Sequence, residues 1–295
     1  EYRPQLAEIR KGCIDIPCVA VDFFIHGHRH CEICIHNILT MVNETKLINI
    51  YRRAAQQLRT TVRRADPRKP IILIRKVIMG DINKIASDLE RETKNWLVVE
   101  IPQEYKRGSQ QVVADAGKLG LTLDKTGFGQ VHKEAIQALT EDAYLDFAAG
   151  IEGVRRAGRG FVSEIVKKKI NERIVSGQLE GKALDTVKKE IKQLVEDTGF
   201  TALVDRGGKH WSIDSYAEML VRTHVIKANG EGTKNRLLTN QVDLVEISKH
   251  NSSCPICQPY EGKVYSLTGK SNGYEKAPEL PIHPNCRHSY MPYIE

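Results

Sequence analysis

Two short cysteine and histidine motifs near the C-terminal end of this sequence have a spacing that suits metal binding. Cys254 and Cys257 form a Cys-x-x-Cys pair, and His283 and Cys286 form a His-x-x-Cys pair. Four thiolate or imidazole ligands in two such pairs can close a tetrahedral zinc site. Residues 258–282 lie between the pairs, enough chain for a hairpin of two strands. We therefore predict that these four side chains could hold a structural zinc ion.

The spacing of the two pairs fixes neither the full ligand set nor the presence of a metal. His250 and His288 are spare candidates for a ligand position. Without a metal, the same residues would be packed thiols beside histidines hydrogen-bonded to the backbone, or Cys286 would form a disulfide with Cys254 or Cys257. The order Cys-Pro-Ile-Cys without an upstream His-x-Glu does not match zinc deaminases. His250 followed by asparagine is a weak sign of a metal-dependent nuclease.

The first forty residues carry a second, weaker cluster of four cysteines. Their spacing is Cys-x4-Cys, then twelve residues, then Cys-x2-Cys, which could form a small zinc knuckle. The alternative is an extension without a cofactor, in which the apolar run Asp22-Phe23-Phe24-Ile25 is simply a strand. The four cysteines are Cys13, Cys18, Cys31 and Cys34.

Composition limits the class of protein. The chain has 295 residues and a net charge of +7, which permits contact with nucleic acid or an acidic protein surface without requiring either. We expect neither a transmembrane helix nor a signal peptide, since no apolar run of about 18 residues and no basic-then-apolar leader is present. Seven cysteines without a secretion signal favour reduced thiols or metal over a disulfide framework.

The middle of the chain has the periodicity of amphipathic helices. Apolar residues recur at steps of three and four, and prolines, glycines and capping residues separate the runs. We predict that Asn43 caps the first helix, that Pro70 and Pro102 open the next two, and that the glycine-rich segment 150–160 is a hinge. The predicted helices are 43–66, 70–89 (with a short strand as the alternative at its start), 102–116, 131–149, 161–174 and 184–195.

The C-terminal third changes character. A helix capped by Asp214 is followed by alternating segments at 242–248 and 262–267 that predict two strands. The fold class is therefore mainly α with a C-terminal α+β domain, an elongated helical region joined to a small Cys/His-rich module that contains strands. The predicted domains are residues 1–40, 41–200 and 201–295.

An ordered string of motifs lies over roughly residues 210–295. The motifs are Tyr216-Ala-Glu-Met-Leu-Val-Arg-Thr223, Asn229-Gly230, Asp243-Leu-Val-Glu-Ile-Ser248 with His250, Cys254-Pro-Ile-Cys257, Gly262-x-Val-Tyr-Ser266 and His283-Pro-Asn-Cys-Arg287. This string resembles the phage minor capsid protein 2 family, relatives of the phage Mu F-type head-morphogenesis proteins. Relatives often carry cysteine where this sequence has His288, so either His283 or His288 would complete a ligand set.

This resemblance implies a non-enzymatic minor capsid protein of a tailed bacteriophage. It would be assembled in the host cytoplasm and located in the capsid interior near the portal vertex, in several copies per particle. Its partners would be the portal protein and the major capsid or scaffold protein, with no membrane. It could also contact packaged double-stranded DNA and influence packaging or ejection. The alternative from the Cys/His cluster and positive charge is a nuclease-like metal enzyme or a DNA-binding module.

Overall fold

Four helices and seven short strands make up the part of the chain that the computed structural model describes, which is residues 23–25, 28–30, 32–63, 71–124, 129–164, 202–204, 210–251 and 254–294. The protein is mainly α with a C-terminal α+β part, as predicted. None of the described helices is long and apolar enough to cross a membrane. In chain order the elements are β1 (Phe23–Ile25), β2 (His28–His30), α1 (Glu32–Arg63), α2 (Ile71–Lys118), α3 (Gln130–Glu164), β3 (Ala202–Val204), β4 (His210–Ser212), α4 (Ile213–Thr239), β5 (Leu244–Ile247), β6 (Val264–Ser266) and β7 (Tyr290–Pro292).

The chain divides into two compact units, Glu1–Lys46 and Leu47–Glu295. In the first unit, β1 and β2 form an antiparallel hairpin in which Phe23 pairs with His30. The strand considered at Asp22–Ile25 therefore exists as β1. The side chains of the four N-terminal cysteines are outside the described residues, as is the predicted domain boundary at residue 200.

The first two helices are longer than predicted. Asn43 lies inside α1 rather than capping it, because no proline or glycine interrupts residues 32–63. Pro102 lies inside α2, so the prediction of separate helices on either side of it was wrong. Proline removes the hydrogen bond to the carbonyl four residues earlier. That residue, Val98, is 62% exposed, so water can reach its backbone, while the buried Ile101 holds the helix in place.

The predicted hinge at residues 150–160 was also wrong, because α3 runs through it without a break. Two of its glycines, Gly150 and Gly158, instead allow close contacts with neighbouring helices. A Cβ atom on Gly150 would lie 2.7 Å from the Tyr216 ring, and one on Gly158 would lie 2.7 Å from Ile82 Cδ1. The predicted helix at 184–195 and most of that at 161–174 lie outside the described residues.

A single hydrophobic core joins residues of α1, α2, α3 and the first part of α4. Phe147 of α3 lies near its centre, with ring centroids 6.1 Å from Tyr51 and 6.4 Å from Trp96. The Tyr51 hydroxyl is hydrogen-bonded to the Thr93 hydroxyl at 3.0 Å, which satisfies both groups inside this core.

Ser212, rather than the predicted Asp214, caps α4 by accepting a hydrogen bond from the Ser215 N–H.

The helices α2 and α4 approach each other closely along a seam of small and polar residues. A Cβ atom on Gly108 would lie 1.9 Å from the Asn229 carbonyl oxygen, and one on Gly232 would lie 2.0 Å from the Tyr105 carbonyl oxygen. The Thr233 hydroxyl donates to the Gly108 carbonyl at 3.1 Å across the same seam. Since both glycines face backbone atoms, the absence of their side chains sets the distance between these helices.

The C-terminal sheet has the strand order β6-β5-β7, and both pairings are antiparallel. The central strand β5 and its neighbour β6 confirm the two predicted strands, while β7 was not predicted. Val245 and Ile247 point from β5 into a second core that also includes Val112 and Ala116 from the end of α2. The sheet is therefore packed directly against the helical part of the second unit.

Asp243, just before β5, anchors the turn after β6. It accepts hydrogen bonds from the Ser266 and Ser271 hydroxyls and from the Thr268 N–H. Burial raises the pKa of Asp243, but the hydrogen bonds to its carboxylate outweigh this and lower the pKa to about 2.

Asp243→Asn should therefore remove a pH-dependent part of the stability. The folded-state pKa lies below the unfolded value of about 3.9, so this stabilisation is complete above pH 4 and is lost as the pH falls toward 2. The difference in melting temperature between wild type and variant should be constant above pH 5 and should shrink below pH 4. Thermal unfolding from pH 7 to 2.5 measures this difference in melting temperature. The control is Glu279→Gln, since Glu279 is exposed. A difference that does not change with pH would contradict this role.

Candidate metal centre

The Cys254–Cys257 segment forms a compact turn between β5 and β6. The Gln258 N–H donates to the Cys254 carbonyl at 2.9 Å, and the Tyr260 N–H donates to the Cys257 carbonyl at 2.9 Å. The N–H groups of Cys257 and Ile256 are hydrogen-bonded to the Cys254 sulfur, and they lower the pKa of that thiol. Backbone donors therefore favour the thiolate, the form of cysteine that binds metals.

His283, in the connection between β6 and β7, points its Nε2 atom at this turn. Nε2 lies 2.9 Å from Cys257 Sγ and 3.4 Å from Cys254 Sγ. On the other side of the ring, Nδ1 lies 2.6 Å from the Pro284 carbonyl oxygen. A carbonyl can only accept a hydrogen bond, so Nδ1 carries the proton and the Nε2 lone pair faces the two sulfurs.

Cys286 and His288 extend the cluster inward. Cys286 Sγ lies 3.8 Å from Cys257 Sγ and 3.4 Å from His288 Nδ1. The other nitrogen of His288, Nε2, lies 2.8 Å from Glu261 Oε1, and the His288 and Glu261 side chains are only 3% and 6% exposed. Cys257 and Cys286 are each 1% exposed. The inner members of the cluster are therefore buried, whereas Cys254 and His283 are half-buried.

Burial and neighbouring groups shift three further pKa values in the cluster. Burial, reinforced by Cys286, raises the pKa of the Cys257 thiol to about 12. Burial lowers the pKa of His288, but its contacts with Glu261 and Cys286 together outweigh burial and raise the pKa above its usual value. Burial raises the pKa of Cys286, but hydrogen bonds, the largest from His288, together outweigh burial and lower that pKa. The Cys257 thiol thus resists ionisation unless a positive charge is placed beside it.

The sheet brings the two loops of the cluster together. The Gly262 N–H donates to the Ile247 carbonyl at 2.9 Å, which closes the cysteine turn onto the end of β5. The Ser248 N–H donates to the Ser289 carbonyl at 3.0 Å, so the end of β5 also holds the residue next to His288. Gly262 has a φ of 66°, a conformation that favours glycine at this turn.

The structure brings all four of the principal predicted ligands into one cluster. Their ligand atoms form two groups, each mutually within 4.8 Å, and Cys257 belongs to both. Of the spare candidates, His288 is a member of the second group, whereas His250 belongs to neither. His250 contacts the Ser248 hydroxyl at 2.9 Å and the edge of the His288 ring. The first group is Cys254, Cys257 and His283, and the second is Cys257, Cys286 and His288.

Glu261 is a member of the site that no sequence pattern predicted. It lies outside the two spaced pairs, and only the folded connection places its carboxylate against His288. A carboxylate that receives the outer N–H of a cluster histidine is a recurrent feature around metal sites. Cys254, Cys257 and Cys286 are free thiols, and none of these three is joined in a disulfide.

The fold and this cluster define a mainly helical protein whose C-terminal α+β module contains a buried Cys/His core. The family Phage minor capsid protein 2 matches residues 70–295, and the chain belongs to that family. A similar protein is the one named "Structural protein" from Lactococcus phage LL-H, which is 25% identical over 108 residues. That segment is 32% of this chain and 29% of the relative, so the chain matches under a third of the relative's length. No solved structure matches this chain.

Proposed function

We propose that this protein is a non-enzymatic structural component of a tailed-phage head, located in the capsid interior at the portal vertex. Its partners would be the portal protein and the major capsid or scaffold protein. The observation that carries the proposal is the family match over residues 70–295. This range contains α2, α3, α4 and the complete C-terminal sheet. The family relationship therefore supports an assembly role for this part of the chain.

Two contacts bear on the nuclease alternative, one beside the Cys/His cluster and one inside it. His250, the candidate general base of a nuclease, has its Nε2 atom 2.9 Å from the Ser248 hydroxyl. Glu261, the acidic side chain within the cluster, is buried and bound to His288. We expect the purified chain, incubated with double-stranded DNA and a divalent metal, to leave the DNA intact. Cleavage that is lost in His250→Ala would overturn the non-enzymatic assignment.

A contact with packaged DNA is a secondary part of the proposal, supported by the net charge of +7. Two arginines of α3 are engaged by carboxylates, which reduces what they could add to a phosphate contact. Arg155 forms ion pairs with Glu90 and Glu152, and Arg159 also pairs with Glu152. Any binding through phosphates should weaken steeply with salt. Binding that does not change between low and high salt would argue against a phosphate contact.

The location can be tested on particles. We expect quantitative mass spectrometry to detect the chain in both proheads and mature virions. Crosslinking should join it to the portal protein, and asymmetric reconstruction should show internal density at one vertex. Particles made without the chain are the matched control and should lack both the crosslinks and that density. Absence of the chain from both kinds of particle would overturn the virion role, and crosslinks confined to tail proteins would overturn the location.

A further inference from the structure

We propose that the C-terminal module binds one structural zinc ion through Cys254, Cys257, Cys286 and the Nε2 atom of His283. We further propose that His288, held by Glu261, is a positioning residue that orients Cys286 and is not itself a ligand. This inference goes beyond the proposed function, because the ion would stabilise the module whatever the module binds.

Two of the distances among the proposed ligands match a tetrahedral ion and one is shorter. With Zn–S bonds of about 2.3 Å and Zn–N bonds of about 2.0–2.1 Å, two sulfur ligands are separated by about 3.8 Å and a sulfur and a nitrogen by about 3.5 Å. The observed separation of Cys257 Sγ and Cys286 Sγ is 3.8 Å. Cys254 Sγ and His283 Nε2 are 3.4 Å apart, and Cys257 Sγ and His283 Nε2 are 2.9 Å apart. Cys286 lies outside the group of ligand atoms within 4.8 Å that Cys254, Cys257 and His283 form, so the ion would draw Cys286 Sγ toward the other three ligands.

The contacts of the two histidines distinguish their roles. His283 Nε2 lies close to two sulfurs, and the Pro284 carbonyl fixes its ring with the lone pair facing them. His288 lies within hydrogen-bonding distance of one sulfur, that of Cys286, and its other nitrogen is engaged by Glu261. Both histidines have their outer nitrogen held as in metal-ligating histidines, by a carbonyl or by a carboxylate, so the number of nearby sulfurs decides the assignment. His283, which lies beside two sulfurs, is the ligand, and His288, which lies beside one, is the positioning residue.

The chemistry of the donors selects the metal and its role. Thiolates with one imidazole in a tetrahedral arrangement favour zinc over calcium or magnesium, which prefer oxygen. Four protein ligands leave no position for a substrate, and Cys257 and Cys286 are each 1% exposed. Both features are those of a structural site.

The short strands explain why a crosslink would matter here. The sheet consists of strands of four, three and three residues. Two much longer connections, 248–263 and 267–289, join these strands. The proposed ligands come from both connections, so one ion would hold them against each other, and its binding free energy would become part of the folding free energy of the module.

The test measures metal in the purified full-length chain by elemental mass spectrometry. The N-terminal cysteines could bind an ion of their own, so the measurements use a background in which Cys13, Cys18, Cys31 and Cys34 are all changed to serine. We expect one zinc per chain in this background and none after Cys254→Ser or His283→Ala. His250→Ala should keep the full amount. His288→Asn should also keep the zinc, but its affinity for zinc should be about 10–100-fold lower than that of the unmodified site. Competition with a chelator measures this affinity.

A second measurement on the same background does not depend on whether the ligand variants fold. Replacement of the ion by Co²⁺ should produce the absorption bands of a tetrahedral site with thiolate ligands. Absence of zinc together with absence of these bands would overturn the proposal, as would a disulfide detected between two of the three remaining cysteines. Loss of zinc in His288→Asn with retention in His283→Ala would overturn the assignment of the ligands.

Discussion

Gly108→Ala is expected to destabilise the protein by about 2–4 kcal/mol, because the added methyl group has no space between α2 and α4. Its Cβ atom would lie 1.9 Å from the Asn229 carbonyl oxygen, and backbone atoms cannot rotate away as a flexible side chain can. The helices must therefore separate, which weakens neighbouring contacts such as the hydrogen bond from Arg236 Nε to the Ser109 hydroxyl at 2.8 Å. Thermal or urea-induced unfolding measures this loss.

Gly80→Ala is the matched control, since it lies in the same helix with nothing within 4 Å of its added Cβ atom. Alanine is favoured over glycine in a helix, so this variant should be more stable by about 0.5–1 kcal/mol. Gly232→Ala should destabilise the protein about as much as Gly108→Ala. The double variant should lose less unfolding free energy than the sum of the two single losses, because helices that are already separated leave room for the second methyl group. A Gly108→Ala protein as stable as wild type would show that the seam between α2 and α4 can accept a methyl group.

Removal of the proposed zinc ion is expected to open the C-terminal sheet while leaving the helical core folded. Free zinc at about a thousand times its dissociation constant stabilises the zinc-bound state by about 4 kcal/mol. Chelation should therefore speed hydrogen exchange at the buried Val245 and Tyr265 amides by up to about a thousandfold. Amides of Leu97 and Ile151 in the helical core should exchange at nearly their original rates, since their contacts lie in a different cluster of buried residues.

Cys257→Ser should produce the same exchange pattern without a chelator, since Cys257 is the residue shared by both groups of the cluster. His250→Ala is the control, because His250 is exposed and belongs to neither group. It should keep zinc-dependent protection at both strand positions. Exchange in β5 and β6 that is insensitive to both chelator and Cys257→Ser would mean that the sheet and its apolar core hold the module without an ion.

The helices show what periodicity can and cannot predict. Buried residues at steps of three and four, such as Leu47, Tyr51 and Leu58, identify α1 and its inward face. The predicted breaks at Pro102 and at the glycines of α3 were wrong. A local rule assigns proline and glycine an unfavourable effect on a helix, but burial of Ile101 and Tyr105 beside the proline outweighs it. That outcome depends on neighbours distant in the sequence.

The Cys/His cluster also has a part that the sequence predicts and a part that only the fold reveals. Spacing alone pairs Cys254 with Cys257 and His283 with Cys286, because residues three apart can meet in one tight turn. The contact between His288 and Glu261 joins residues 27 apart, and no local pattern marks it. The strand β7 was likewise missed, since its three residues become a strand only by pairing with β5.

Residue types and their separation over a few turns of chain were enough to predict the mainly helical class, two strands of the C-terminal module and the two pairs of candidate ligands, and the resemblance of an ordered string of motifs predicted the family. Three features depend instead on contacts between distant segments. These are the continuity of α2 and α3, the distance between α2 and α4 that Gly108 and Gly232 set, and the hydrogen bond between Glu261 and His288. The energies of such contacts exceed the local preferences that a sequence pattern records, so they become visible only in the folded protein.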